Sequence, residues 1–330
     1  MSVVLAPPPQ ERFVAASAAA DLLSALGDQV AETLHVPVSA LSLRELSHPA
    51  QVADAPSTFA VRQGVSPPRA VLMCSSRDYP DMVERSMARA AAAKQRLPRH
   101  EAAAILTPLL QGRVHGMSFA MLNYCRPLSR RRPLSWVQRS LVQPHILEWI
   151  FRVAESTREE PDDATRAARF GEPLRLLLSM RMLSAPLRQS ARRALCRLED
   201  ADWRPKQVLM HGDLWEGNVL IDGPDPQEHR TRWAQRFAVI DWPGSEVQGY
   251  AIYDLVRYAL SSRLGPRGLH GEVTRHCAAL ACEPEDAMSY LLCALGHIGM
   301  HLEEFPFERY LRMVEACYDG LQRAEFRELR

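Results

Sequence analysis

Two apolar runs, Val208-Leu-Met and Val219-Leu-Ile, flank a polar turn that carries His211, Asp213 and Asn218. A third apolar run, Phe237-Ala-Val-Ile, ends in Asp241. Buried strands that deliver carboxylates and an amide to one edge suit metal-assisted phosphoryl transfer. That reaction asks little covalent chemistry of a protein: it needs metal ions at the phosphates, a carboxylate to receive the acceptor's proton, and accurate positioning. Asp213, in the turn after a strand, suits the proton-accepting role. Asn218 offers a neutral oxygen and Asp241 a hard anionic one to Mg2+. His211, the remaining catalytic candidate of the loop, reads as a brace that holds the turn through hydrogen bonds. A purely structural reading stands beside this one, in which Asp213 and Asn218 form an ordinary turn and Asp241 caps a helix.

These side chains need elements to position them. Phe13, Leu22, Leu23, Leu26, Val30 and Leu34 recur at helical spacing and predict a helix from Glu11 to about Leu34, after a proline-rich start at 1–9. Thr58–Arg62 and Ala70–Cys74 predict a hairpin across the turn-rich Gln-Gly-Val-Ser-Pro-Pro. A helix is expected over Asp78–Arg96, capped by Asp81 and closed by Pro98. Ile105–Leu110 and Phe119–Tyr124 predict a second pair of strands around Gln-Gly-Arg-Val-His-Gly. Arg126–Arg132 and Pro133 break the pattern, and residues 134–203 then read as helical, with Glu159–Asp163 as a solvated loop. Past the site, Ile252–Leu260, Gly271–Ala281, Glu285–Ile298 and Pro306–Phe326 read as helices. The fold class is α+β: a small sheet-plus-helix lobe followed by a mostly helical one.

The wording around the site carries a resemblance. His-Gly-Asp-Leu-Trp-Glu-Gly-Asn, then Val-Ile-Asp-Trp, then Gly249-Tyr-Ala-Ile-Tyr-Asp254-Leu255 resembles the aminoglycoside phosphotransferase and choline kinase superfamily. The first segment is especially similar to fructosamine kinases. The H-x-D-x-x-x-x-N spacing is also that of the kinase catalytic loop. The resemblance implies a two-lobe, protein-kinase-like fold, with a leader and helix over 1–38, a small nucleotide-side lobe over 39–125 and a large lobe over 126–330. It implies ATP or GTP as phosphate donor, Mg2+, and the hydroxyl of a sugar, amino sugar or amino alcohol as acceptor. Asp213 is then the base, Asn218 and Asp241 are metal ligands, and Asp254 braces the loop. In that superfamily a lysine on the third small-lobe strand holds the phosphates and pairs with a glutamate on the next helix. Glu84 fits the glutamate, whereas Ala70–Cys74 offers Met73 or Cys74 at the lysine's place. Arg62 on the preceding strand is the candidate substitute, although its planar fork is not equivalent to an ammonium. Met121–Cys125 would be the hinge facing the base of the nucleotide, with Asn123 and Cys125 as contacts. The missing lysine keeps a second reading open: a kinase-fold protein without activity that serves as a binding or scaffold module.

Bulk properties narrow the classes. The 330 residues carry a net charge of +1, which gives no general drive toward nucleic acid or an anionic membrane. Seven scattered cysteines without a C-x-x-C pair argue against a disulfide framework and for a reducing, cytoplasmic location. No run of 18 apolar residues predicts a membrane span. His297-Ile-Gly-Met-His301 places two imidazoles on one helical face, but Ile298 stands where zinc proteases carry glutamate. With Glu304 they are candidate acceptor contacts, against the alternative of a solvated face.

Overall fold

A computed structural model describes residues 9–47, 55–129, 131–222, 236–303 and 305–325. The chain forms two compact units, Met1–Ala88 with Leu106–Cys125, and Arg89–Ile105 with Arg126–Arg330.

The first unit opens with α1 (Pro9–Leu34). Its sheet holds β1 (Leu41–Ser47), β2 (Ser57–Gln63), β3 (Ala70–Cys74), β4 (Leu110–Val114) and β5 (Met117–Asn123), all antiparallel in the order β1-β2-β3-β5-β4. Successive strand residues point to opposite faces, so the register decides what is buried. Phe59 pairs with Leu72, and Leu72 with Met121, which lines up an apolar row across three strands. That row packs with Leu22, Leu26, Val30 and Leu34 of α1 in one core. The opposite face carries Ala60, Arg62, Val71, Met73 and Ala120.

One expected hairpin is displaced. The turn between β4 and β5 is His115-Gly116, with φ of 51° and 80°, and Gln111–Val114 are strand rather than turn. Positive φ at both central residues gives a two-residue turn whose twist matches the strands. Gly112, which reads as a turn residue, instead lies opposite Phe119, whose ring would be 3.3 Å from any added Cβ. Ile105, expected in a strand of this hairpin, makes a parallel bridge with Val239 inside the second unit.

Helix α2 (Met82–Arg96) starts in the first unit. Its cap differs from expectation. The backbone N–H groups of Val83 and Glu84 donate to the hydroxyls of Ser75 (2.9 Å) and Ser118 (3.1 Å), which are bonded to each other at 2.8 Å. Asp81 pairs with Arg113 instead. Helix-start N–H groups lack intrahelical partners, and buried hydroxyls satisfy them without a charge.

Strand β6 (Cys125–Pro127) leads into the second unit, which also contains α3 (Arg99–Ala102). There follow α4 (Arg132–Thr157), α5 (Asp163–Arg166), a π turn over Ala167–Gly171, α6 (Glu172–Ser179) and α7 (Ala185–Glu199). Asp162, expected in a plain loop, caps α5 by accepting from Thr165 N–H at 2.7 Å. Then come β7 (Gln207–Met210), β8 (Val219–Asp222), β9 (Phe237–Val239) and β10 (Glu246–Tyr250). The helices α8 (Tyr253–Ser262), α9 (Pro266–Leu280), α10 (Asp286–Met300) and α11 (Phe307–Glu325) complete the unit. β7 pairs with β10 and β8 pairs with β9, each antiparallel, so the two strands beside the polar turn lie in different sheets. Among the described residues no helix is long and apolar enough to cross a membrane.

Phe170 on the π turn is fully buried and makes edge contacts with Trp203, Tyr250 and Tyr290. Deleting it leaves a cavity that three large rings cannot close. Phe170→Ala is expected to lower the unfolding free energy by about 3–5 kcal/mol, read from urea denaturation; a loss below about 1 kcal/mol would show that the rings repack.

Candidate functional site

The loop from Met210 to Val219 is built from its backbone outward. Gly212 has φ of 85°, and a Cβ there would lie 2.3 Å from the carbonyl oxygen of Gly244. Only glycine permits both that conformation and that approach. The N–H groups of His211 and Gly212 donate to the two carboxylate oxygens of Asp254, at 2.6 Å and 3.1 Å. Asp254 stands in the first turn of α8 after Ile252, whose φ is 71°. Burial pushes its carboxyl up to about 7, against the pull of the two backbone N–H groups.

His211 is buried, and its neighbours fix its tautomer. Nε2 donates to the Ile240 carbonyl at 3.0 Å, while Nδ1 accepts from the Asp213 N–H at 3.3 Å. Trp242 packs on the ring with centroids 4.5 Å apart. Burial drives the imidazole down to about 4, so it is neutral at physiological pH. It holds the turn and does not face solvent.

Asp213 is different: its side chain is 48% exposed. Oδ1 accepts from Arg257 Nη2 at 2.7 Å, and Asn218 Nδ2 stands 3.4 Å from Oδ2. Asn218 is buried, and its Nδ2 also donates to the Asp213 carbonyl at 2.9 Å. That bond fixes the amide's orientation, so Oδ1 is the atom left for another donor or a cation. The Asn218 carbonyl accepts from the Ile240 N–H at 3.0 Å. Ile240 therefore ties the loop to the next residue, Asp241, which is exposed with φ of 70°. Aspartate tolerates this left-handed backbone better than most residues. Asn218 and Asp241 thus supply an amide oxygen and a carboxylate, both hard-oxygen types, on two segments that the Ile240 N–H joins.

Of the remaining candidates, Glu84, Arg62, Asn123 and Cys125 belong to the first unit, and His297 and His301 to the second. Glu84 is 60% exposed and paired with Arg113 at 2.5 Å. Arg62 is half-buried, and its Nε has no hydrogen-bond partner. Thr58, not Arg62, pairs with Met73, so Arg62 shares a sheet face with Met73 without being beside it. Asn123 is exposed at the end of β5, and Cys125 is buried. Lys94, in the last turn of α2, is not one of these candidates; it donates to the Ile105 carbonyl at 2.9 Å. The His297 ring packs at a tilt against Tyr250 (5.2 Å) and His301 (4.7 Å). Among the described residues no group of three or more His, Cys, Asp or Glu side chains is arranged to hold a metal ion. Glu304 lies outside the described residues.

Two contacts were not foreseen from the sequence. Arg257 holds Asp213, and Ser261 accepts the Glu216 N–H at 2.9 Å. With Asp254 they occupy positions i, i+3 and i+7 of α8, one face of a helix. That spacing is the signal that could have found them.

The model of the phosphotransferase enzyme family, APH, matches residues 51–286. Among solved structures, the choline kinase LicA from Streptococcus pneumoniae is similar with a TM-score of 0.51 at 13% identity, over 90% of this chain and 97% of that one. A putative fructosamine-3-kinase from Haemophilus somnus 129PT has a TM-score of 0.49 at 13% identity, over 90% and 97% of the two chains. A thermostable mutant of aminoglycoside phosphotransferase APH(4)-Ia, in ternary complex with AMP-PNP and hygromycin B, has a TM-score of 0.49 at 17% identity, over 92% and 99%. At such identities the likeness to the choline kinase concerns the fold: an antiparallel five-stranded sheet followed by a largely helical remainder. No curated protein matches the chain.

Two outcomes follow from this geometry. Gly212→Ala is expected to cost roughly 1–3 kcal/mol of stability, seen as a lower melting temperature. The second concerns His276, buried and held down to about 4 by burial, as His211 is. Below about pH 6.5 the unfolded chain binds a proton that the folded imidazole refuses, so stability present above that pH is lost as pH falls toward about 4. The carboxyl of Asp254 acts in the opposite sense, because the folded state keeps a proton that the unfolded chain releases between about 4 and 7. Comparing His276→Phe with the parent cancels that shared contribution. The variant should lose roughly 2–3 kcal/mol less between pH 7.5 and 4.5, and parallel stability–pH curves would refute the assignment.

Proposed function

The chain belongs to the phosphotransferase enzyme family, and from that premise we propose that it transfers the γ-phosphate of ATP or GTP to a hydroxyl of a small molecule: a sugar, an amino sugar or an amino alcohol. The observation that carries this reading is the half-exposed Asp213 carboxylate beside Asn218, whose oriented amide leaves its oxygen available, with Asp241 next to Ile240, which is bonded to Asn218. Asp213 receives the proton of the acceptor hydroxyl as that oxygen bonds to the γ-phosphorus and the nucleoside diphosphate departs. Asn218 Oδ1 and the Asp241 carboxylate are the groups that would hold Mg2+. Bound there, the ion neutralises charge on the phosphate oxygens. His211 and Asp254 keep the loop in shape and take no part in proton transfer.

A second reading has its own observation. Glu84 is engaged by Arg113, and β3 carries Met73 and Cys74 where a phosphate-binding lysine is expected. In that reading the protein binds partners without turning over nucleotide.

One experiment separates them. Mg·ATP should stabilise the purified protein by about 2.7 kcal/mol at a hundredfold excess over Kd, and the shift should vanish in Asp241→Ala. A panel of sugars, amino sugars and amino alcohols is then scanned for ADP release. Asp213→Asn should keep the Mg·ATP-induced shift and lose about 10²–10⁴-fold in turnover. Binding without turnover on any acceptor would favour the inert reading, and the absence of both would sink the kinase reading.

A further inference from the structure

Arg257 is the cation that meets the proposed base. Its guanidinium is 25% exposed, and its one hydrogen bond to a carboxylate is Nη2 to Asp213 Oδ1 at 2.7 Å. Its Nε is buried, with no hydrogen-bond partner among the described residues. Partial burial of an always-charged group is costly unless the charge is paired, and here the pairing is with Asp213. The contact also divides the carboxylate. Oδ1 is held at normal charge-assisted distance, whereas Oδ2 has only the long 3.4 Å approach of Asn218 Nδ2. Oδ2 is thus the oxygen with unengaged lone pairs on a half-exposed side chain.

We propose that Arg257 is a positioning residue: by holding Oδ1 it presents Oδ2 to the acceptor hydroxyl and keeps a fixed positive charge beside the forming bond. This rests on the reading of Asp213 as base. In the step it supports, the acceptor O–H proton passes to Oδ2, the acceptor oxygen bonds to the γ-phosphorus, and the bond from that phosphorus to the bridging oxygen breaks, leaving the nucleoside diphosphate. Arg257 neither gains nor loses a proton. The placement matters because a shift of about 1 Å in a reacting group costs about a hundredfold in rate. The geometry gives Arg257 the same helix face as Asp254 and Ser261, so α8 sets the loop's backbone and the direction of its one exposed carboxylate together.

The test uses the full chain with Mg·ATP, reading ADP release with water as acceptor and with the acceptor that stimulates it most in the panel. Arg257→Ala should lose about 10²-fold in kcat, with the KM for ATP within about twofold and the Mg·ATP-induced thermal shift retained. Guanidinium chloride at tens of millimolar should restore part of the turnover of Arg257→Ala and none of that of Asp213→Asn, while equal NaCl restores neither. Should the alanine variant fail to fold, Arg257→Lys and Arg257→Gln replace it, and lysine should exceed glutamine by at least about tenfold in kcat. An active parent with an unchanged Arg257→Ala, a loss that guanidinium does not relieve, or equal lysine and glutamine variants overturns this proposal alone. A parent that neither binds nor consumes ATP overturns the phosphotransfer reading and this proposal with it.

Discussion

The main chain of Ile240 is held from both sides, and the site's arrangement depends on it. Its N–H donates to the Asn218 carbonyl, and its own carbonyl accepts from His211 Nε2. One residue therefore stitches both ends of the polar turn to the segment that displays Asp241. Without those two bonds, β8 and β9 would still pair through Val219 and Val239, but the turn would lose its ties to the segment that follows β9. Trp242 adds a stop on the far side, burying its ring and donating to the Val239 carbonyl at 2.9 Å. Asp241 is left as the exposed residue between two anchored ones, with a left-handed φ of 70°.

Helix α8 supplies the complementary restraint, and it shows what a sequence does and does not reveal. His211, Asp213, Asn218 and Asp241 were legible as one group because short apolar runs bracket them, and Asp254 through the resemblance of its Asp-Leu pair to the superfamily's. Arg257 and Ser261 were not, because α8 reads first as an apolar stripe of Leu255, Val256 and Ala259, and its polar face carries no motif of its own. β10 was missed for a similar reason: Glu246-Val-Gln-Gly-Tyr lacks a continuous apolar run, yet it completes the pairing of the fully buried β7. Gly112 misled in the opposite direction. A glycine marks a turn only when φ requires it, and here it makes room for the Phe119 ring inside a strand.

The first unit illustrates how charge can be committed locally. Arg113 on β4 holds both Asp81 and Glu84 at the start of α2. These are exposed pairs, and such pairs contribute little to stability. Their consequence is one of availability: Arg113 lies opposite Ser118 and so shares the sheet face of Ala120 and Met73, and there Glu84 is already engaged by a cation. The helix needs neither acid to begin, since Ser75 and Ser118 satisfy its first N–H groups. The acidic pair is therefore dispensable for the helix start, and its role is confined to the β4 side of the sheet.

In the second unit the centre of the loop is a neutral histidine, and the hydrogen-bond pattern explains the choice. The position must accept from the Asp213 N–H and donate to the Ile240 carbonyl with one rigid side chain. A neutral imidazole does both through its two nitrogens, in the single tautomer with hydrogen on Nε2. Protonation would place a second N–H against the Asp213 N–H and remove the acceptor. The burial that holds the imidazole near 4 also excludes the water that would stabilise the charged form. Asp254 completes this design from the backbone side, receiving the N–H groups of His211 and Gly212 that the turn leaves unpaired. A buried acid and a buried neutral base then share one peptide segment, and the loop's most exposed carboxylate is Asp213, since Glu216 is largely covered and paired with Arg139.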